Sequence, residues 1–254
     1  MKVSYFLIRT FAYFAMLFVL LTSATAKTTK DSLAVVEDAF RPQQLIVPST
    51  LIAVGAFGVD NRWLCFMKEE VKGGFHNLRG DCRFGVDDYL QYLPVAAHLG
   101  LGLVGVKARH SFTERFAATA TAYAAMGLMV NVTKYTVKEK RPASEARNSF
   151  PSGHTATAFM GAELVREEYG NTYGGCAYAF ATGVAILRIY NDRHWLNDVI
   201  AGAGVGILAA RIGYWALPLE RKLFGMNKSK AKVMVLPNYD YVDKCLGMAI
   251  TASF

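Results

Sequence analysis

At 254 residues the chain is long enough for one domain with a complete core, and no break in composition marks a second. Apolar residues make up 53% of it and charged residues 19%, with a mean hydropathy of +0.21, which is too apolar for an ordinary soluble domain and excludes a disordered one. The formal charge of +8 fits a solvated cationic surface or attraction to anionic lipid or a phosphorylated substrate. Nucleic acid is excluded as a partner, because no basic helix face or exposed aromatic stripe gathers the charges.

Residues 1–26 read as a signal peptide or signal anchor: Lys2 and Arg9 give a basic start, residues 11–21 are almost wholly apolar, and Ala24-Thr25-Ala26 is a small-x-small cleavage signature. Residues 27–88 follow as an N-terminal exported segment. It holds an apolar stretch at 45–59 and then, at 60–88, a polar surface excursion with Gly73 and Gly74 as its turn. Residues 89–220 form the core domain. Within it 89–106 and 116–132 each approach the ~20 apolar residues that span a bilayer, and both are rich in the Ala and Gly that suit close helix packing. Further helices are expected at 155–168, 173–188 and 199–218, since their apolar runs are too continuous for half-buried strands. Arg211 interrupts the last of these, and Glu163, Arg166, Glu167 and Glu168 crowd the end of the first. Buried helices of a large soluble all-α domain therefore stand as the alternative to membrane spans.

Residues 221–254 form a basic linker and a tail, in which apolar stretches at 233–236 and 247–254 flank Pro237, Asn238 and Asp240 and predict a short β-hairpin. A terminal Phe on such a segment also occurs in outer-membrane barrels, but no other strand pattern supports one. The fold class is all-α: a membrane-associated bundle of about five to six helices with a short C-terminal hairpin. Charge asymmetry orients it. The basic loops at 107–115 and 221–232 fall inside, leaving 134–154 and 188–198 outside.

Cys65, Cys82, Cys176 and Cys245 form no CxxC pair and have no His at ligand spacing, so no structural zinc site is expected. Cys65 and Cys82 either close the polar segment as a disulfide or remain unpaired thiols.

Three short pieces carry chemistry. In the first, Lys134 stands at a helix end, and Arg141 follows seven residues on, held by Pro142, which blocks further helix. In the second, Pro151-Ser152-Gly153-His154 opens an apolar segment, placing unpaired amides and a hydroxyl at a helix N-terminus where an anion is favoured. Gly153 lets backbone approach a phosphate oxygen, and His154 adds a titratable group. In the third, Arg188 precedes His194, and Asp198 lies four residues further. On a helix those last two share a face, so Asp198 fixes one imidazole nitrogen and leaves the other able to attack. Arg188 supplies a bidentate phosphate ligand.

In this order the pieces resemble the signature of the type 2 phosphatidic acid phosphatase and vanadium haloperoxidase superfamily, over residues 89–218. One departure is Leu187, where the family often has Ser, so a hydroxyl contact is lost there. The chain is short, exported and apolar, unlike the haloperoxidases, which points to the lipid phosphatase branch and makes vanadate an inhibitor. The resemblance implies that His194 is the nucleophile, Asp198 its orienting partner and His154 the acid and base, while Lys134, Arg141, Ser152, Gly153 and Arg188 bind phosphate. It implies no metal and no cofactor. The partners expected are a phosphorylated lipid substrate and the bilayer, with no protein partner indicated. Phosphatidic acid, phosphatidylglycerol phosphate, undecaprenyl pyrophosphate and lipid A all fit, and DDYLQYLPVA before the core resembles lipid A phosphatases. The implied location is the bacterial cell envelope, in the membrane with a periplasm-facing site. Two alternatives remain at this point: a soluble periplasmic acid phosphatase of broad specificity, and a non-catalytic membrane protein that binds phospholipid.

Overall fold

The computed structural model describes residues 40–60, 62–79, 85–225, 232–240 and 245–253. The leader at 1–26 and Cys82 lie outside these, and so does the side chain of Cys65. Eight α-helices are described: α1 (Ile46–Asp60), α2 (Arg62–Arg79), α3 (Asp87–Leu90), α4 (Leu93–Gly100), α5 (Phe112–Val137), α6 (Gly153–Tyr169), α7 (Asn171–Tyr190) and α8 (Leu196–Leu223). A 3-10 turn at Pro42–Leu45 leads into α1. Six of the eight have fifteen residues or more, as the all-α reading expects. Strands β1 (Lys232–Asp240) and β2 (Cys245–Ser253) pair antiparallel, with Lys232 opposite Ser253.

Helix α8 is the central post, packed against α1, α5 and α6, while α6 also carries α7 and α4. The close approach depends on glycine. A Cβ on Gly206 would stand 2.2 Å from the Ala156 carbonyl oxygen of α6, and one on Gly213 would stand 2.3 Å from the Ala118 oxygen of α5. Two apolar clusters flank the post. One joins Ala158, Phe159, Val184 and Ile207 between α6, α7 and α8, and the other joins Ala122, Met126, Met160, Leu164 and Leu217 between α5, α6 and α8. Within a bilayer such small-residue packing holds helices together where hydrophobic transfer cannot.

Among the described residues three helices are long and apolar enough to cross a membrane, at Pro42–Val59, Phe112–Val137 and Leu196–Leu223. The outer two expose large apolar side chains such as Phe57, Leu128 and Val132, which suits contact with lipid. The charges that interrupt the sequence pattern neutralise one another inside the bundle. Arg211 Nε lies 2.6 Å from Glu163 and its NH1 2.8 Å from Glu167, while Arg166 Nε lies 2.7 Å from Glu163. Paired and inward-facing, they are compatible with a membrane bundle.

The structure corrects four readings. The segment at 60–88 is not a surface excursion turning at Gly73 and Gly74, because α2 runs straight through both. Lys68, Val71 and Phe75, spaced three and four apart, face the bundle while Glu69, Gly73 and His76 face out. Residues 89–106 do not form one span. Pro94 begins the separate short helix α4, which unwinds after Gly100, and Gly105 adopts φ 93°. The last helix is not closed by Pro218, since α8 continues to Leu223. Finally, His194 and Asp198 do not share a helix: His194 lies in the turn before α8, and Asp198 in its first turn.

Candidate active site

Helices α5 and α7 end, and α6 and α8 begin, at the same end of the bundle, so the topology alone brings the three motif pieces together. Helix α5 terminates at Lys138, whose left-handed φ of 53° turns the chain out of the helix while its N–H still reaches the Lys134 carbonyl. The loop then folds back, with Arg141 N–H donating to Ala146 O and Ser149 N–H to Glu139 O. This return places Asn148 between two cations: its carbonyl accepts from Lys134 Nζ and its side-chain oxygen accepts from Arg141 Nε at 2.8 Å.

Ser152 is the N-cap of α6, and its Oγ accepts from Thr155 N–H at 3.4 Å and from Thr155 Oγ1 at 3.0 Å. It is fully buried and its own N–H donates to the Asp198 carbonyl, so it stands behind the cradle and locks α6 to α8. The first amides of α6, beginning with half-buried Gly153, have no intrahelical acceptor and form the open part of the cradle. His154 follows, with Nε2 at 2.8 Å from Asp88 Oδ1.

Arg188, buried in the last turn of α7, places NH1 at 2.5 Å from Asp87 and 3.2 Å from Asp88. Its Nε is buried with no hydrogen-bond partner among the described residues. Its carbonyl accepts from the N–H groups of Arg193 and His194, which fixes the turn that presents His194. The His194 imidazole is 2% exposed, with Nδ1 at 3.4 Å from Asp198 Oδ2. Asp198 Oδ2 also accepts from Trp195 N–H at 2.9 Å and from Ser149 Oγ at 2.5 Å. Nε2 of His194 has no hydrogen-bond partner among the described residues.

Electrostatics follow from this crowding. Burial, and then Arg188, Arg141, Lys134 and His154, hold the His194 imidazole well below its ordinary pKa of 6.5, so the ring is neutral near pH 7. Burial and Arg188 lower His154 as well, while the Asp88 contact raises it. All eight residues expected from the sequence stand at this end of the bundle. Those missed are mostly carboxylates and amides: Asp87 and Asp88 from α3, Glu139 and Asn148 from the return loop, Ser149, and Asn197 of α8. Asn191 donates to Asp87 Oδ1 at 3.1 Å and completes the hold on that carboxylate. A cleft of about 360 Å³, lined by Asn131, Lys134, Tyr135, Lys138, Arg147 and Asn148, opens beside Lys134.

The family model of the PAP2 superfamily matches residues 115–222, the stretch that carries all eight expected site residues. This stretch is similar to the domains of that superfamily. The chain is 42% identical over 147 residues to the lipid A 1-phosphatase of Porphyromonas gingivalis, a match covering 56% of this chain and 32% of that protein. It is 38% identical over 74 residues to the bacitracin transport permease protein BcrC of Bacillus licheniformis, covering 29% and 36%. It thus spans about a third of the length of these curated relatives. Among solved structures, LpxE of Aquifex aeolicus aligns with TM-score 0.42 and 23% identity over 56% of this chain and 92% of that one. The PAP2-type phosphatidylglycerolphosphate phosphatase of Bacillus subtilis aligns with TM-score 0.49 and 17% identity, over 72% and 99%. The matched stretch begins in α5 and ends in α8, so α1 to α4 lie outside it, although α3 supplies the carboxylates that meet Arg188 and His154.

Proposed function

We propose that the chain is a metal-independent phosphatase that hydrolyses a phosphate monoester or pyrophosphate of a membrane lipid through a phosphohistidine at His194. The observation that carries this reading is the buried, neutral His194, held at Nδ1 by Asp198, with Nε2 unpartnered among the described residues beside Lys134, Arg141 and Arg188. Nε2 attacks phosphorus, the bond to the leaving oxygen breaks, and His154 delivers a proton to that oxygen. His154, now neutral, removes a proton from water, which attacks phosphorus and breaks the P–N bond. Asp198 stabilises the imidazolium formed in between. Lys134, Arg141, Arg188 Nε and the Gly153 amide hold the three equatorial oxygens on which charge collects. Ser152 positions that amide as the cap of α6.

The name of the Porphyromonas gingivalis relative favours the 1-phosphate of lipid A as substrate, ahead of phosphatidic acid, phosphatidylglycerol phosphate and undecaprenyl pyrophosphate. The basic residues Lys107, Arg109, Arg221 and Lys222 lie at the end away from the site. By the positive-inside rule this supports a site on the periplasmic side of a bacterial cell envelope. The test is phosphate release by the purified full chain from a panel of these four lipids, with His194→Ala as control. Release from a lipid by the parent and none by the variant is expected. Equal release by the variant, or hydrolysis confined to small aryl phosphates, would overturn the reading.

A further inference from the structure

One buried acid at the site has no part in the chemistry above. Glu139 lies inside the cationic return loop, between Lys138 and Lys140, yet its side chain is only 9% exposed. Its Oε1 is 2.7 Å from Lys68 Nζ of α2. Its Oε2 accepts from Asn197 Nδ2 at 3.1 Å, and the same amide nitrogen is 3.4 Å from Asp198 Oδ1. The two carboxyls therefore converge on one amide nitrogen, which brings them within reach of each other. Two carboxylates brought together in this way repel when both are ionised, which favours a proton held by the pair.

From this geometry we propose that Glu139 is a positioning residue, which as a neutral carboxyl donates its proton in a hydrogen bond to Asp198 and so fixes Asp198 against His194 Nδ1. The inference rests on His194 being the nucleophile. The division of Asp198 is clear: Oδ2 serves His194, Ser149 and Trp195, while Oδ1 faces Asn197. Without a donor from Glu139, the carboxylate keeps only its Oδ2 contacts and the Asn197 bond. Burial, and then the charge of Asp198, push the Glu139 carboxyl up to about 7, with Lys68 pulling it down. The charged and titratable groups around it are Lys68 and Lys72 of α2, Lys138, Lys140 and Arg141 of its own loop, and His194 and Asp198. Of these, Lys68 and Asp198 act on it most strongly. Lys68 and Lys72 also sit 5.5 and 5.1 Å from the Trp195 ring, so α2 is fastened to the turn that carries His194.

The test uses kcat/KM for 4-nitrophenyl phosphate, because nitrophenolate departs without a proton and His154 then does not shape the pH profile of the first step. In the parent, kcat/KM falls as pH rises through about 7, when Glu139 ionises beside Asp198. Glu139→Gln, whose amide still donates to Asp198 and whose carbonyl still accepts from Lys68, retains the low-pH rate within about threefold and loses that fall. Glu139→Ala lowers kcat/KM at every pH by about ten- to a hundredfold, the size usual when support behind a catalytic group is removed. Lys68→Met moves the fall to higher pH, since the cation that favours ionisation is gone. A parent profile flat through neutrality, or a Glu139→Gln profile that matches the parent, overturns the proposal. An infrared carboxylic C=O band that titrates near neutrality in the parent and is absent in Glu139→Gln reads the proton without turnover. Should His194→Ala remain active, the phosphohistidine reading fails while this band still reports on the carboxyl pair, and its absence from the parent refutes that pair.

Discussion

Replacing Asp88 by Asn separates two effects that the cradle geometry couples. Asp88 Oδ1 bonds both His154 and Arg188, at 2.8 and 3.2 Å, so a carboxylate already sits between two groups assigned to the phosphate. An entering phosphate must displace that carboxylate or bind beside it. Two unit charges 4 Å apart repel by about 1 kcal/mol in water and about 4 kcal/mol at the effective dielectric of a protein surface. Asp88 is more than half exposed, 56% for its side chain, which places the cost near the lower end, at roughly 1 to 2 kcal/mol. Asn keeps the shape and removes the charge. Inorganic phosphate and vanadate should then inhibit about 5- to 30-fold more tightly. The same change removes the partner that raises His154, whose pKa burial and Arg188 already depress, so less of it carries a proton at neutral pH. Turnover of an alkyl phosphate, whose leaving group needs that proton, should fall, while that of an aryl phosphate stays nearly constant. The assay is the inhibition constant of phosphate together with kcat for both substrates. Unchanged or weaker inhibition would refute the placement of Asp88 in the path of the substrate.

Other consequences can be checked as directly. Rapid quench with a ³²P-labelled substrate should trap an alkali-stable, acid-labile label on the parent and none on His194→Ala, whose turnover should drop by at least about a thousandfold; label retained by the variant would move the nucleophile elsewhere. EDTA should leave activity intact while vanadate suppresses it, and chelator-sensitive activity restored by a divalent ion would contradict phosphate binding by cations alone. Ser149→Ala removes a donor to Asp198 Oδ2 and should lower kcat with little change in KM, so an altered KM with kcat preserved would argue against it. Gly206→Val should abolish the folded protein in detergent, because its Cβ would fall 2.2 Å from the Ala156 oxygen. A normal melting transition would show that α6 and α8 do not lie so close.

What could be read from the sequence divides along a physical line. Lys134, Arg141, His154, Arg188, His194 and Asp198 are legible because each belongs to a short piece whose internal spacing states its chemistry, and because long antiparallel helices return every second connection to the same end. The acidic half of the site carries no such spacing. Asp87 and Asp88 precede α4 and reach Arg188 only because α4 packs on α6, a contact that no local pattern encodes. Glu139 is hidden in a basic run, where a solvated charge is the ordinary reading, and only the fold shows it turned inward between Lys68 and Asn197. The misread elements share that cause. Gly73 and Gly74 signal a turn by local propensity, but tertiary packing along Lys68, Val71 and Phe75 carries α2 through them. The span expected at 89–106 fails for the opposite reason, since Pro94 and Gly105 are local breakers that an average over apolar residues conceals. Sequence motifs thus identify the groups that would touch phosphate, whereas the groups that set their charge and orientation come from α2, α3 and the return loop. A graft of the three motif pieces onto another bundle would therefore carry the cations, the histidines and Asp198 without Asp87 and Asp88, which hold Arg188 and His154, or Glu139.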